Sequence, residues 1–182
     1  LAVRQVNFKM DRGIRYYFDR VELPGLQALP GDEARRFFVG SDTLLQTREG
    51  RLFTPARLES GVRSLRNALE RIGWANAKVS GSIVRQDATS GAVQVRVTVE
   101  EGLPTMARSV ATEIFLPGAG SPLARRLTET NAPFSRVWLQ QMAAPLRLEQ
   151  QRLGYPDVTV TFSTLARQTN ATNIFVEVQA RV

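Results

Sequence analysis

The sequence contains no cysteine and no histidine. Without cysteine there is no disulfide framework, no thiolate nucleophile and no sulfur ligand for a metal. Without histidine the chain lacks the side chain best suited to moving protons near neutral pH, which is also the commonest metal ligand. Serine–histidine and cysteine–histidine mechanisms and most zinc sites fall together. Lysine is scarce too: Lys9 and Lys78 are the only two, and the remaining basic residues are arginines spread along the chain. No apolar run approaches the ~18 residues of a membrane-spanning helix, and no signal peptide stands at the start. There is no Gly-rich phosphate loop, zinc-ligand spacing or nucleophile elbow. The adjacent Glu100 and Glu101 do not make an acid–base pair, because neighbouring strand residues face opposite ways. An enzyme is not expected, and neither is a cofactor or a metal.

The first residue is Leu1 rather than Met. The expectation is a piece of a longer chain, so missing targeting segments say nothing of the parent. The formal net charge of +7 invites a nucleic-acid reading, but no aromatic platform interleaves with the densest basic pairs, Arg35-Arg36 and Arg125-Arg126. Anionic lipid headgroups or an acidic partner suit the charge equally well. A basic nucleic-acid-binding array of small α+β domains remains the alternative of another class; the reading adopted has no nucleic-acid partner.

What the sequence does have is a repeat. Setting residue n against n+81 aligns Phe53 with Phe134, Leu58 with Leu139, Leu65-Arg66 with Leu146-Arg147, Gly73 with Gly154, Val79 with Val160 and Val97 with Val178. A repeat of this length is a small domain, and arrays of such domains usually bind or space other molecules. The hydrophobic fraction of 43% supports a packed core.

Within each copy the pattern predicts elements. Residues 54–72 read as a helix capped by Thr54 and begun by Pro55, with Leu58, Val62, Leu65, Leu69 and Ile72 forming an inward stripe. Gly73 sits where a helix end needs a left-handed residue. The second copy has Ser135 as cap, Leu139, Ala143, Leu146 and Leu153 inward, and Gly154 at the end. Strands are predicted over 77–85 and 92–100, joined by a turn at 87–91, and again at 158–166 and from 174 after a turn at 168–173. Ahead of each long helix, strands at 15–23 and 108–116 end at Pro24-Gly25 and Pro117-Gly118. Short helices are predicted at 33–38 and 122–127, with 41–50 as an insertion in the first copy. Each unit is then α+β, β-α-α-β-β, with a three-stranded mixed sheet covered on one face by two helices. The expected domains are 12–102 and 103–182. The segment 1–11 is read as the last strand of a preceding module, because Phe8-Lys-Met-Asp-Arg-Gly13 echoes Val97-Thr-Val-Glu-Glu-Gly102; an ordinary added N-terminal strand is the alternative.

The joint order of these motifs resembles the POTRA (polypeptide-transport-associated) domain of outer-membrane barrel assembly and translocation proteins of the BamA and TamA kind. The residues that carry the resemblance are Leu-Glu-Arg-Ile-Gly-Trp at 69–74, its echo Leu153-Gly154-Tyr155, and a last strand running into Val-Glu-Glu-Gly at 99–102. The resemblance covers nearly the whole chain; the long loop 41–50 and the ending Gln179-Ala-Arg-Val182 depart from the pattern. It implies a periplasmic location as part of an outer-membrane protein, beside the parent's own C-terminal barrel. It also implies binding of unfolded outer-membrane proteins or secreted polypeptide by β-augmentation, with accessory envelope proteins as further partners. The transporter of a two-partner secretion pair is the alternative within the family. Partner-binding edges would be Lys78, Val79, Ser80, Gly81, Ser82 and Ile83 in the first copy and Thr159, Val160 and Thr161 in the second. Gly81 is otherwise a bulge or a tight helix contact. Asp11, Arg12, Gly13, Glu101 and Gly102 are read as inter-module hinges. Gly73, Trp74, Gly154 and Tyr155 are structural, the aromatics capping helix ends. Trp138 is read either as an inter-module contact or as core.

Overall fold

The computed structural model describes residue 9 and residues 13–40, 51–116 and 118–182. The expected remnant strand at 1–11 (Lys9 apart), the insertion at 41–50, and Asp11 and Arg12 lie outside the described residues.

The first sheet is built from β1 (Tyr17–Glu22), β2 (Lys78–Gln86) and β3 (Ala92–Glu100) in the order β1-β3-β2. β3 is central, parallel to β1 and antiparallel to β2. Its Val93, Val95, Val97 and Val99 are buried, as strict alternation demands of a sheet covered on one side. Two helices cover that side: α1 (Gly31–Arg36) and α2 (Pro55–Arg71). α2 starts where Thr54 accepts a bond from the Arg57 N–H at 3.1 Å and ends at Gly73, whose φ is 98°. Its Leu58, Leu65 and Leu69 join Phe18, Phe38 and Phe53 in one core. Gly61 lets the Phe38 ring press directly on the α2 backbone, where any Cβ would overlap it.

The second sheet contains β4 (Thr105–Ile114), β5 (Ala124–Pro133), β6 (Thr161–Thr169) and β7 (Ile174–Arg181), ordered β5-β4-β7-β6 and packed beside α3 (Arg136–Arg152). The α+β class with mixed sheets holds throughout, but one predicted element does not. The short helix expected at 122–127 is replaced by the strand β5, antiparallel to β4. In the first module α1 follows β1, and Leu52, ahead of α2, makes an antiparallel bridge with Tyr17. The second module has no counterpart to 41–50. Its return is made by an extended run of 10 residues, which at ~3.3 Å per residue spans ~33 Å and retraces the length of β4. Among the described residues the module is therefore β-β-α-β-β, with four strands and one helix.

Two smaller corrections follow from the same change. The second module's first strand begins at Thr105, not 108, because Thr105 pairs with Ile174 as Phe18 pairs with Val93. The two Pro-Gly pairs are not structurally equivalent. Pro24 C=O accepts from the Val99 N–H at 3.0 Å and Gly25 lies hard against the Val99 backbone, whereas Gly118 stands in open space. Leu153, expected inward, is 66% exposed. The second core is also thinner: Ala107, Val110, Val176, Val178 and Ala180, with half-buried Phe134, Trp138 and Leu146 against them. Trp138 thus takes the core reading, its ring 6.0 Å from Phe134.

Candidate functional site

β2 forms an edge of the first sheet, its only strand partner among the described residues being β3. An edge strand turns alternate backbone N–H and C=O groups outward, away from its neighbour. Nearly all of β2 is exposed, including Ile83 and Val84 at 45% and 50%. The ladder slips between Ile83 and Arg85, so Val84 is the bulged residue rather than Gly81. The strand is held in register by the turn into β3. There the Asp87 carboxylate accepts from the Thr89 N–H at 2.8 Å and the Ser90 hydroxyl at 2.6 Å. These bonds, the Ser90 hydroxyl foremost, hold the Asp87 carboxyl below its ordinary value.

Beside this edge runs an open groove of about 460 Å³ between β2 and the first half of α2. Gly81 creates it. A Cβ there would stand 3.0 Å from Val62 Cγ2 and 3.2 Å from Leu58 Cδ1, so the strand lies close on the helix and leaves no side chain in between. The tight-contact reading of Gly81 is therefore the geometry seen, and it is also what opens the groove. Leu58 and Val62 line it on the helix side, Ser82 and Ile83 on the strand side, with Glu59 and Arg63 paired at its rim at 3.9 Å. Lys78 lies 3.9 Å from Glu100, both well exposed; such a pair contributes at most ~1 kcal/mol.

Sequence reasoning named the strand side and missed Leu58 and Val62 as walls. Their spacing placed them on the inward stripe, and only the missing side chain at position 81 marks that part of the stripe as uncovered. The remaining predicted sites do not converge on this groove. Thr159 and Val160 precede β6 rather than belong to it, Val160 is buried, and Thr161 is the first residue of the strand, opposite Arg181.

The junction between the sheets lies at the far end of α2. The Thr105 N–H donates to the Gly73 carbonyl at 2.7 Å. A Cβ on Gly73 would meet Thr105 O at 2.9 Å and Pro133 Cβ at 3.2 Å. Trp74 packs half-buried against the first core. Glu101 is fastened rather than loose: its carboxylate accepts from the Gln27 and Ala28 N–H groups at 2.6 and 2.7 Å. Gly102 follows with φ 72°, and Gly13 has φ 62° with nothing near its Cβ position. No group of acidic side chains able to hold a metal occurs among the described residues, and no described helix is long and apolar enough to cross a membrane.

The family model described as "POTRA: Surface antigen variable number repeat" matches residues 16–102. No curated protein matches the sequence. Among solved structures, the chain is similar to BamA from Haemophilus ducreyi lacking POTRA domains 1–3, with 15% identity, a TM-score of 0.52, and coverage of 91% of this chain and 29% of that one. It is also matched to POTRA domains 3–5 of Haemophilus influenzae BamA, with 17% identity, a TM-score of 0.46, and coverage of 93% of this chain and 62% of that one. The likeness to the first of these is one of fold. The chain spans less than two thirds of the length of either.

Proposed function

We propose that residues 16–102, which the POTRA family model matches, are such a domain and that the chain is part of the periplasmic arm of an outer-membrane protein. There it serves as a jointed, non-enzymatic scaffold that receives extended polypeptide. In this reading 103–182 is a second, divergent module of the same kind. Unfolded barrel proteins or a secreted polypeptide are the clients, and accessory envelope proteins or anionic headgroups are further contacts for the arginine-rich surface. The joint is the stretch from Glu101 to Pro104, held on one side by the Glu101 carboxylate and on the other by the Thr105–Gly73 bond, with Gly102 making the turn.

One observation carries the reading: an exposed edge strand, β2, lies directly beside an apolar groove floored by Leu58 and Val62. An incoming strand laid along β2 would gain backbone hydrogen bonds whatever its sequence. Every second side chain would enter the groove, which suits segments that alternate apolar and polar residues. NMR titration of the 182-residue chain with a peptide of alternating barrel-strand sequence tests it. The expected result is a contiguous set of shifts over 78–86 together with Leu58 and Val62. Shifts confined to other surfaces, or none at millimolar peptide, would overturn it.

A further inference from the structure

The strand β5 forms an edge of the second sheet, and the matching stretch of the first module is the helix α1. Among the described residues the only strand partner of β5 is β4. Opposite Ser109, Ala111 and Glu113 of β4 stand Glu129, Leu127 and Arg125. These three side chains share the face turned away from α3, because the intervening Val110 and Thr112 are buried on the other. Leu127 is 69% exposed. Glu129 is exposed too and forms no ion pair among the described residues. Arg125 engages Glu113 through Nε at 3.1 Å while largely exposed, and a guanidinium carries several further N–H donors. The ladder to β4 is regular from Ala124 to Glu129 and shifts only beyond, between Ala107 and Ser109 of β4. Charges on an edge strand ordinarily keep other strands away. Here they have opposite signs and flank an exposed leucine on one face.

We infer that β5 is a self-pairing edge, along which two copies of this chain join antiparallel about a two-fold axis through Leu127. Parity sets the register. In an antiparallel pair, directly opposed residues turn their backbone groups the same way, both toward the partner strand or both away. A strand therefore meets its own copy only with a residue, not a peptide bond, on the axis. Centring on Arg125, Arg126 or Glu129 sets like charges face to face. Centring on Thr128 sets Leu127 against Glu129. Centring on Leu127 sets the two leucines together and pairs Arg125 of each copy with Glu129 of the other, as a two-fold interface requires. Each such ion pair is exposed and contributes little alone, and a short strand pair buries less than a standard interface. The dimer is accordingly weak and sensitive to salt. β2 lies in the other sheet, so what it binds and what β5 binds are tested separately.

Because the chain has no cysteine, single introduced cysteines report the register directly. Residues opposed on the axis have Cα atoms about 4.5–5.5 Å apart, within the ~4.4–6.8 Å that a disulfide spans. A residue one step off the axis lies about 8 Å from its own copy, beyond that reach. Leu127→Cys should give a disulfide-linked dimer under mild oxidation, and Thr128→Cys and Glu129→Cys should not. Faster linkage through either of the latter overturns the inference. Sedimentation of the unaltered 182-residue chain, up to millimolar concentration, should show a monomer–dimer equilibrium weakened by salt. Arg125→Glu and Glu129→Arg should each weaken it about tenfold, since both attractions become repulsions. An equal mixture of these two variants should recover it, because the mixed pair restores both attractions. Leu127→Asp should abolish the dimer and leave the thermal midpoint unchanged, since Leu127 is already bare. That variant decides if Arg125→Glu, beside Glu113, does not fold. A chain that stays monomeric overturns the inference. So does a dimer indifferent to Leu127→Asp, and so do β5 amides that shift only when a barrel-strand peptide is added.

Discussion

Replacing each of two equivalent glycines by alanine separates backbone strain from the contact between modules. Gly73 and Gly154 hold nearly the same left-handed conformation, so alanine pays the same conformational penalty at both, ~1–2 kcal/mol. Only at Gly73 does the new methyl meet other atoms, Thr105 O at 2.9 Å and Pro133 Cβ at 3.2 Å, and both are backbone or ring atoms that cannot rotate aside. Forcing a methyl into a filled site costs a further ~1–3 kcal/mol. The 2.7 Å bond from Thr105 N–H to Gly73 O is strained with it, and a net ~1 kcal/mol is at stake there. Gly154→Ala should therefore lose ~1–2 kcal/mol, and Gly73→Ala ~2–6 kcal/mol with faster exchange of the Thr105 amide. Urea unfolding read by tryptophan emission measures both, since Trp74 packs on the first core and Trp138 on the second. A Trp138→Phe background isolates the first module, a Trp74→Phe background the second. Equal losses at the two glycines, with Thr105 exchange unchanged, would refute the packing of β4 and Pro133 on the end of α2.

Removing the Glu101 carboxylate by Glu101→Ala leaves the Gln27 and Ala28 N–H groups without their acceptor. Because each bond is short, charge-assisted and only partly shielded, the expected loss is ~1–3 kcal/mol from the first module. The amides of 27 and 28 should exchange faster, and wild-type exchange there would refute the anchor. At the β2–β3 turn, the Asp87 carboxyl is depressed in the fold, so its stabilisation is complete above the unfolded value of ~3.9 and fades as the pH falls through the lower folded one. Proton exchange at Gly91 should accelerate across that acid window, and Asp87→Asn should flatten the dependence; an unchanged slope would show that the turn is held otherwise.

The legible parts of the sequence were those whose pattern had a single physical use. The stripe from Leu58 to Leu69, between a capping Thr54 and a left-handed Gly73, allows little but a buried helix. The alternation of four valines in β3 allows little but a one-sided strand. The short helix at 122–127 rested on its match to 33–38, where Ala-Arg-Arg recurs, but such a match predicts a helix only if there is a core for Leu123 and Leu127 to enter. Both leucines are more than 60% exposed, and the shorter return connection favours an extended path. The groove was half legible: Gly81 stood out in its strand, while its neighbours across the helix looked like ordinary core. The covering of the end of α2 could not be read from the repeat, because the same glycine–aromatic pair is covered at Gly73 and open at Gly154.

The exchange of α1 for β5 also changes how each sheet can come together. β4 finds β5 across a short turn, so the second sheet contains a local antiparallel pair that can close early. Among the described residues β1 has no such neighbour beyond the single bridge to Leu52. Its ladder is to β3, with Tyr17 opposite Ala92, and the whole of α1, α2 and β2 must be threaded before that parallel pairing can form. Because long loops are closed slowly and local contacts quickly, the second module should acquire its first strand pair well before the first module does. Two copies of one repeat would then fold from opposite ends of their contact maps, and the first would present an unpaired β1 for longer while it does so.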